Sequence, residues 1–105
     1  MENFKMITCI IQRGKAEKAV KAALEAGAEG ATIFYARGTG VRQKLGVIGK
    51  LIQPEKEVIL VVIKESQEET VFKALAEAAE LDKPGHGIAF VHGIEKVAGY
   101  FDSTK

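Results

Sequence analysis

The residues best suited to chemistry in this chain gather in two glycine turns. The first opens the stretch 37–54, R-G-T-G-V-R-Q-K-L-G-V-I-G-K-L-I-Q-P. That stretch holds Gly38, Gly40, Gly46 and Gly49, together with Arg37, Arg42, Lys44 and Lys50, and no acid. Glycine lets a backbone take positive φ and come close to a ligand. The cations attract phosphate, nucleic acid or an acidic partner. The second turn is Gly85-His86-Gly87, which reads as a ligand cradle or as a plain turn into a strand. The G-x-G of Gly38 and Gly40 lacks the third glycine and the following helix of a dinucleotide fingerprint. No Ser-His-Asp, Cys-His or paired-carboxylate arrangement is evident, so the chemistry expected is binding rather than catalysis. His86 and His92 lie on or beside one strand, but two lone histidines do not amount to a metal site.

A basic, glycine-rich excursion this long in a small domain is expected to be functional. It is expected to be mobile in the free protein, with proteolysis first after Arg42, Lys44 or Lys50. The competing reading is a solvated hairpin that holds nothing.

Composition narrows the field. At 105 residues the chain reads as one domain spanning 1–105, with the basic loop at about 37–56. That length can bury a core without disulfides or metal. Lys+Arg of 15 against Asp+Glu of 14 leaves a net charge of +1, which argues against a dedicated nucleic-acid binder. The single cysteine, Cys9, cannot form an intrachain disulfide and sits in an apolar run as a small buried side chain. No apolar run reaches the roughly 18 residues of a membrane span, and no signal-peptide pattern follows Met1. The expectation is a cytoplasmic protein with no direct membrane insertion.

The elements that must hold the two turns can be read in order. F-K-M-I-T-C-I-I at 4–11 is a strand, broken by Arg13-Gly14. Residues 15–26 repeat apolar positions at spacings of three and four, with Ala16, Ala19, Val20, Ala23 and Leu24 on one side of a helix that Gly27 ends. A-T-I-F-Y-A at 31–36 is a second strand. E-V-I-L-V-V-I-K at 57–64 is the strongest, and its unbroken apolar run suggests a central strand covered on one face and packed at an interface on the other. Ser66 and Glu69 suggest a capping box opening a helix to about Leu81, with Val71, Phe72, Leu75, Ala78 and Ala79 buried. Residues 82–87 are a turn, I-A-F-V at 88–91 a fourth strand, and 93–101 a looser tail with room for a short strand.

Strand, helix, strand thus occurs twice. The expected class is α+β: a ferredoxin-like βαββαβ sandwich, with a four-stranded antiparallel sheet and two helices on one face. The other face is left bare yet apolar. An uncovered face of that kind predicts self-association with closed symmetry.

Two segments carry a resemblance. G-A-T-I-F-Y-A-R-G-T-G at 30–40 looks like the second strand and loop-opening glycines of the P-II signal-transduction family (nitrogen regulatory protein P-II). P-G-H-G-I-A-F-V at 84–91 looks like that family's B-loop, usually written G-x-G-K-I-F-V. The chain resembles the family over about residues 5–97. The resemblance implies a homotrimer with ATP, ADP or AMP as effector in clefts between subunits and no required cofactor. It implies adenine near Ile10, Thr32 and Val61, and phosphates on the amides of Gly38, Gly40, Gly85, His86 and Gly87, with charge from Arg42 or Lys44. It also implies a loop, the T-loop, at 39–56 that docks on a membrane transporter or a metabolic enzyme.

The chain departs from the family pattern at several positions. Ile88 stands where the B-loop has lysine, and Gly99 and Phe101 where the family carries arginines. The T-loop is shorter and has no tyrosine for uridylylation. Fewer phosphate cations imply little preference for ATP over ADP or AMP, or the choice of another small anion. A second reading is a ferredoxin-like interaction module with no small ligand. An acylphosphatase-type enzyme lacks the expected Arg–Asn pair.

Overall fold

A computed structural model describes residues 3–38 and 55–100 of the chain. Among these residues four strands and two helices follow in the order β1 Phe4–Gln12, α1 Ala16–Glu25, β2 Thr32–Arg37, β3 Glu55–Lys64, α2 Glu68–Ala78 and β4 Gly87–Ile94. The strands form one sheet in the order β2-β3-β1-β4, with every neighbouring pair antiparallel. Both helices pack on one face, which is the ferredoxin-like arrangement expected from the double strand–helix–strand pattern.

The sheet register decides which side chains the helices cover. Cys9 stands opposite Ile59 and Ala89, and Ile7 opposite Val61 and Val91. Opposed residues share a face. Ile7, Cys9, Ile11, Ile59, Val61 and Ile63 therefore form the floor of the core, under Ala16, Ala19 and Ala23 of α1 and Val71 and Leu75 of α2. The alanines leave no bulk between α1 and the sheet, so the helix lies close. Leu24, expected in that stripe, is exposed, because it falls one position past Ala23 and turns off the packed line.

The opposite face carries Met6, Thr8 and Ile10 of β1, Val58, Leu60 and Val62 of β3, Thr32 and Phe34 of β2, and Ile88 and Phe90 of β4. No helix of the described chain covers it. Ile88 is 58% exposed, Phe34 45% and Phe90 43%, so the bare apolar face expected from the strand count is present.

Two helix boundaries differ from expectation. A single 3-10 turn, Glu65–Gln67, precedes α2, and the capping residue is Gln67 rather than Ser66. The Gln67 side chain accepts from the Lys64 N–H at 2.9 Å and donates to the Gly27 carbonyl at 3.0 Å, tying the start of α2 to the end of α1. At its far end α2 stops at Ala78, and Ala78 itself is only half-buried. β4 runs to Ile94, and no further strand follows among the described residues.

Both helices end in the same six-to-one closure. The Ala28 N–H reaches the Ala23 carbonyl past Gly27, and the Leu81 N–H reaches the Ala76 carbonyl past Glu80. The residue in the left-handed conformation is Gly27 (φ 119°) in the first and Glu80 (φ 55°) in the second. A non-glycine there carries strain, and Glu80 stands at the edge of the site.

Candidate functional site

The turn from α2 into β4 is built by glycine. Gly85 (φ 80°) and Gly87 (φ 144°) both lie in the left-handed half of backbone space. A Cβ on Gly87 would stand 2.3 Å from the Ile10 carbonyl oxygen, so no other residue fits while β4 pairs with β1. The turn is held from below by Glu80. Its carboxylate lies 3.3 Å from Lys83 Nζ and 3.8 Å from His86 Nδ1. The Lys83 hydrogen bond first, then its charge, lower the pKa of this carboxyl from its ordinary value; desolvation opposes them, and His86 and Lys18 add the weakest lowering.

The backbone of the turn is partly spoken for. The His86 N–H donates to the Lys83 carbonyl at 3.3 Å, and Gln12 Nε2 donates to the Gly85 carbonyl at 2.9 Å. Both groups belong to the one peptide unit joining Gly85 to His86.

The turn after β1 lies at the same end of the sheet. Glu57 is buried, and one oxygen of its carboxylate accepts the N–H of Gly14 at 2.7 Å and of Ala16 at 3.0 Å, at the N-terminal end of α1. An anion suits that helix end. Next to it, Arg13 Nη1 meets Glu55 Oε1 at 2.9 Å, and the guanidinium sits 4.7 Å from the centre of the Tyr35 ring. The Glu55 hydrogen bond and charge raise the Arg13 pKa further. Arg13, Tyr35, Ala36, Arg37 and Glu55 line a shallow cleft of about 180 Å³ at the root of the 39–54 stretch. Gln12 and Arg13 thus reach in two directions, one to the glycine turn and the other to the loop root.

The model of the nitrogen regulatory protein P-II family matches residues 4–100. The chain belongs to the P-II family. Its members are regulatory signal-transduction proteins that bind small effectors. Among solved structures, the crystal structure of Arabidopsis thaliana PII bound to citrate is similar with a TM-score of 0.69 and 24% identity, over 88% of this chain and 78% of that one. No curated protein sequence matches the chain.

The positions where a P-II ligand was expected fall into three groups in this P-II protein. Ile10 lies on the open face opposite Ile88, at the end that carries Gly85, His86 and Gly87, and these four come together. Thr32 is on the open face too, opposite Leu60, but two strands away from β1. Gly38 follows β2 at the same end of the sheet, three strands from β4, which at about 4.8 Å per strand is about 14 Å. Its Cβ position has only an ordinary contact, 3.9 Å to Lys56 Cγ.

Val61 departs from expectation. Its side chain is wholly buried under the helices, on the other face of β3 from Thr32 and Leu60, so it offers no surface to a ligand. Gly40, Arg42 and Lys44, and the expected proteolysis after Arg42, Lys44 or Lys50, lie outside the described residues. Ile88, where the family has lysine, is exposed on the open face, and Gly99 has φ 86°.

Four residues at this end were missed by the sequence reading: Gln12, Arg13, Glu55 and Glu57. Arg13-Gly14 read only as a strand break. The signal available was the run E-K-E at 55–57, charge placed at the start of an otherwise apolar strand. Among the described residues no group of three or more His, Cys, Asp and Glu side chains is placed to hold a metal, and no helix is long and apolar enough to cross a membrane.

Proposed function

We propose that this P-II protein is a trimeric, cytoplasmic regulator that binds an anionic effector, an adenine nucleotide before others, between subunits and acts on a transporter or metabolic enzyme through residues 39–54. The observation that carries the reading is the turn of Gly85, His86 and Gly87. Two left-handed glycines, one with no room for a side chain, bring bare backbone to the surface where the family resemblance puts phosphate. The about 14 Å between Gly38 and this turn supports a site shared between chains, since one chain's two glycine turns are too far apart to hold one phosphate. The bare apolar face supplies the surface for association.

The turn suits one phosphate or a carboxylate better than a triphosphate, because Ile88 brings no charge to it. The citrate bound by the Arabidopsis protein fits a site of that kind. Calorimetry with ATP, ADP, AMP and citrate on the assembled protein tests the reading. The expected result is binding with little difference among the three nucleotides. Absence of any binding would favour an interaction module with no small ligand.

A further inference from the structure

The peptide unit between Gly85 and His86 has both polar groups occupied within the chain, its carbonyl by Gln12 and its N–H by Lys83. An anion that takes the His86 N–H must turn this peptide away from Lys83. The rotation is centred on Gly85, where backbone freedom is greatest. His86 takes the compensating change, and histidine is among the non-glycine residues that tolerate the left-handed region. Turning the peptide also carries the Gly85 carbonyl off Gln12 Nε2. Gln12 is covalently joined to Arg13, whose guanidinium holds Glu55 and covers Tyr35 at the loop root.

We propose that the Gly85–His86 peptide is a two-position switch that Gln12 holds with its N–H on Lys83, and that anion binding releases Gln12 and shifts Arg13 at the root of the 39–54 stretch. The inference rests on the anion-binding reading above and adds to it the device that reports occupancy. Such a device requires an element with two discrete positions that both ends bias, and the Gly85–His86 peptide is assigned that part. The coupling is reciprocal: whatever the ligand does to the Arg13 end, loosening that end does to ligand affinity.

The sign of one substitution separates this from a supporting role. If Gln12 merely shaped the site, removing it would weaken binding. As a lock, its removal strengthens binding, because the ligand no longer breaks that hydrogen bond. Gln12→Ala, and Gln12→Met, which keeps the length without the donor, are each expected to bind ADP and inorganic pyrophosphate about five- to tenfold more tightly by calorimetry.

The second readout is Tyr35. The chain has two tyrosines and no tryptophan, so Tyr100→Phe leaves Tyr35 as the sole emitter. Pyrophosphate, which does not absorb where tyrosine does, is expected to change Tyr35 emission. Gln12→Met should show the altered emission before ligand is added. Arg13→Ala should still bind and give no change.

Unchanged or weaker binding in both Gln12 variants, with the parent protein binding normally, overturns the switch and leaves the anion site standing. Emission that does not respond in the parent while calorimetry shows binding overturns the link to the loop root. No binding in parent or variants removes the anion site and the switch with it. Binding seen only in the Gln12 variants supports the lock.

Discussion

At the scale of single residues, backbone geometry makes the sharpest demands. Gly87→Ala would push a methyl against the Ile10 carbonyl at a φ that L residues rarely adopt. It should cost about 3 kcal/mol in denaturant unfolding, whereas Gly93→Ala, where a Cβ meets open space, should change little. Glu57 is the second demanding residue. Its replacement by Ala strands the N–H groups of Gly14 and Ala16 and should cost about 2–4 kcal/mol, while Glu57→Gln, which still presents an oxygen, should cost less. Burial pushes the Cys9 thiol up to about 11 from 9.0. The folded state therefore favours the protonated thiol. Its contribution is intact below pH 9 and lost as pH rises through 11, and Cys9→Ala should lack that part of the alkaline decline. At neutral pH a thiol reagent should label Cys9 only on unfolding.

At the scale of elements, the two helices are joined by one side chain. Gln67 spans the Lys64 N–H at the head of α2 and the Gly27 carbonyl at the foot of α1. Gln67→Ala should lower stability by about 1–2 kcal/mol in denaturant unfolding, and amide exchange should speed at Lys64 more than along β1. The pairing of Gly27 and Glu80 in the same structural position has a further reading. Gly27 ends α1 without strain, whereas Glu80 carries strain where its carboxylate can meet Lys83 and His86. The closure of α2 is thus also the support of the glycine turn.

At the scale of the whole molecule, β3 has two faces with different fates. Val61 lies in the helix-covered core, and Leu60 lies on the open face between Thr8 and Thr32. Buried apolar surface is worth about 25 cal/mol per Å², so leaving the open face wet is costly. The proposed trimer follows. Light scattering at micromolar concentration should give three chains. Leu60→Glu should yield folded smaller species, and Val61→Glu should fail to fold. A wild-type monomer by the same measurement would remove the shared-site reading.

The order and type of the elements were legible because their signals are local. A period of two marks a strand and a spacing of three and four a helix, whatever the rest of the chain does. Two such units in succession imply the ferredoxin-like topology, and the glycine segments at 30–40 and 84–91 were enough to point to P-II. The core face of β3 was not legible. Positions 58–63 are apolar without interruption, so nothing in V-I-L-V-V-I says whether Leu60 or Val61 points at the helices. Register against β1 decides it, since a slip of one residue exchanges the faces. The roles of Gln12, Arg13, Glu55 and Glu57 were out of reach for a related reason. Gln12 finds the Gly85 carbonyl 73 residues away, and Glu57 finds Ala16 across 41. Contacts that close such separations depend on the assembled sheet, and no local pattern encodes them.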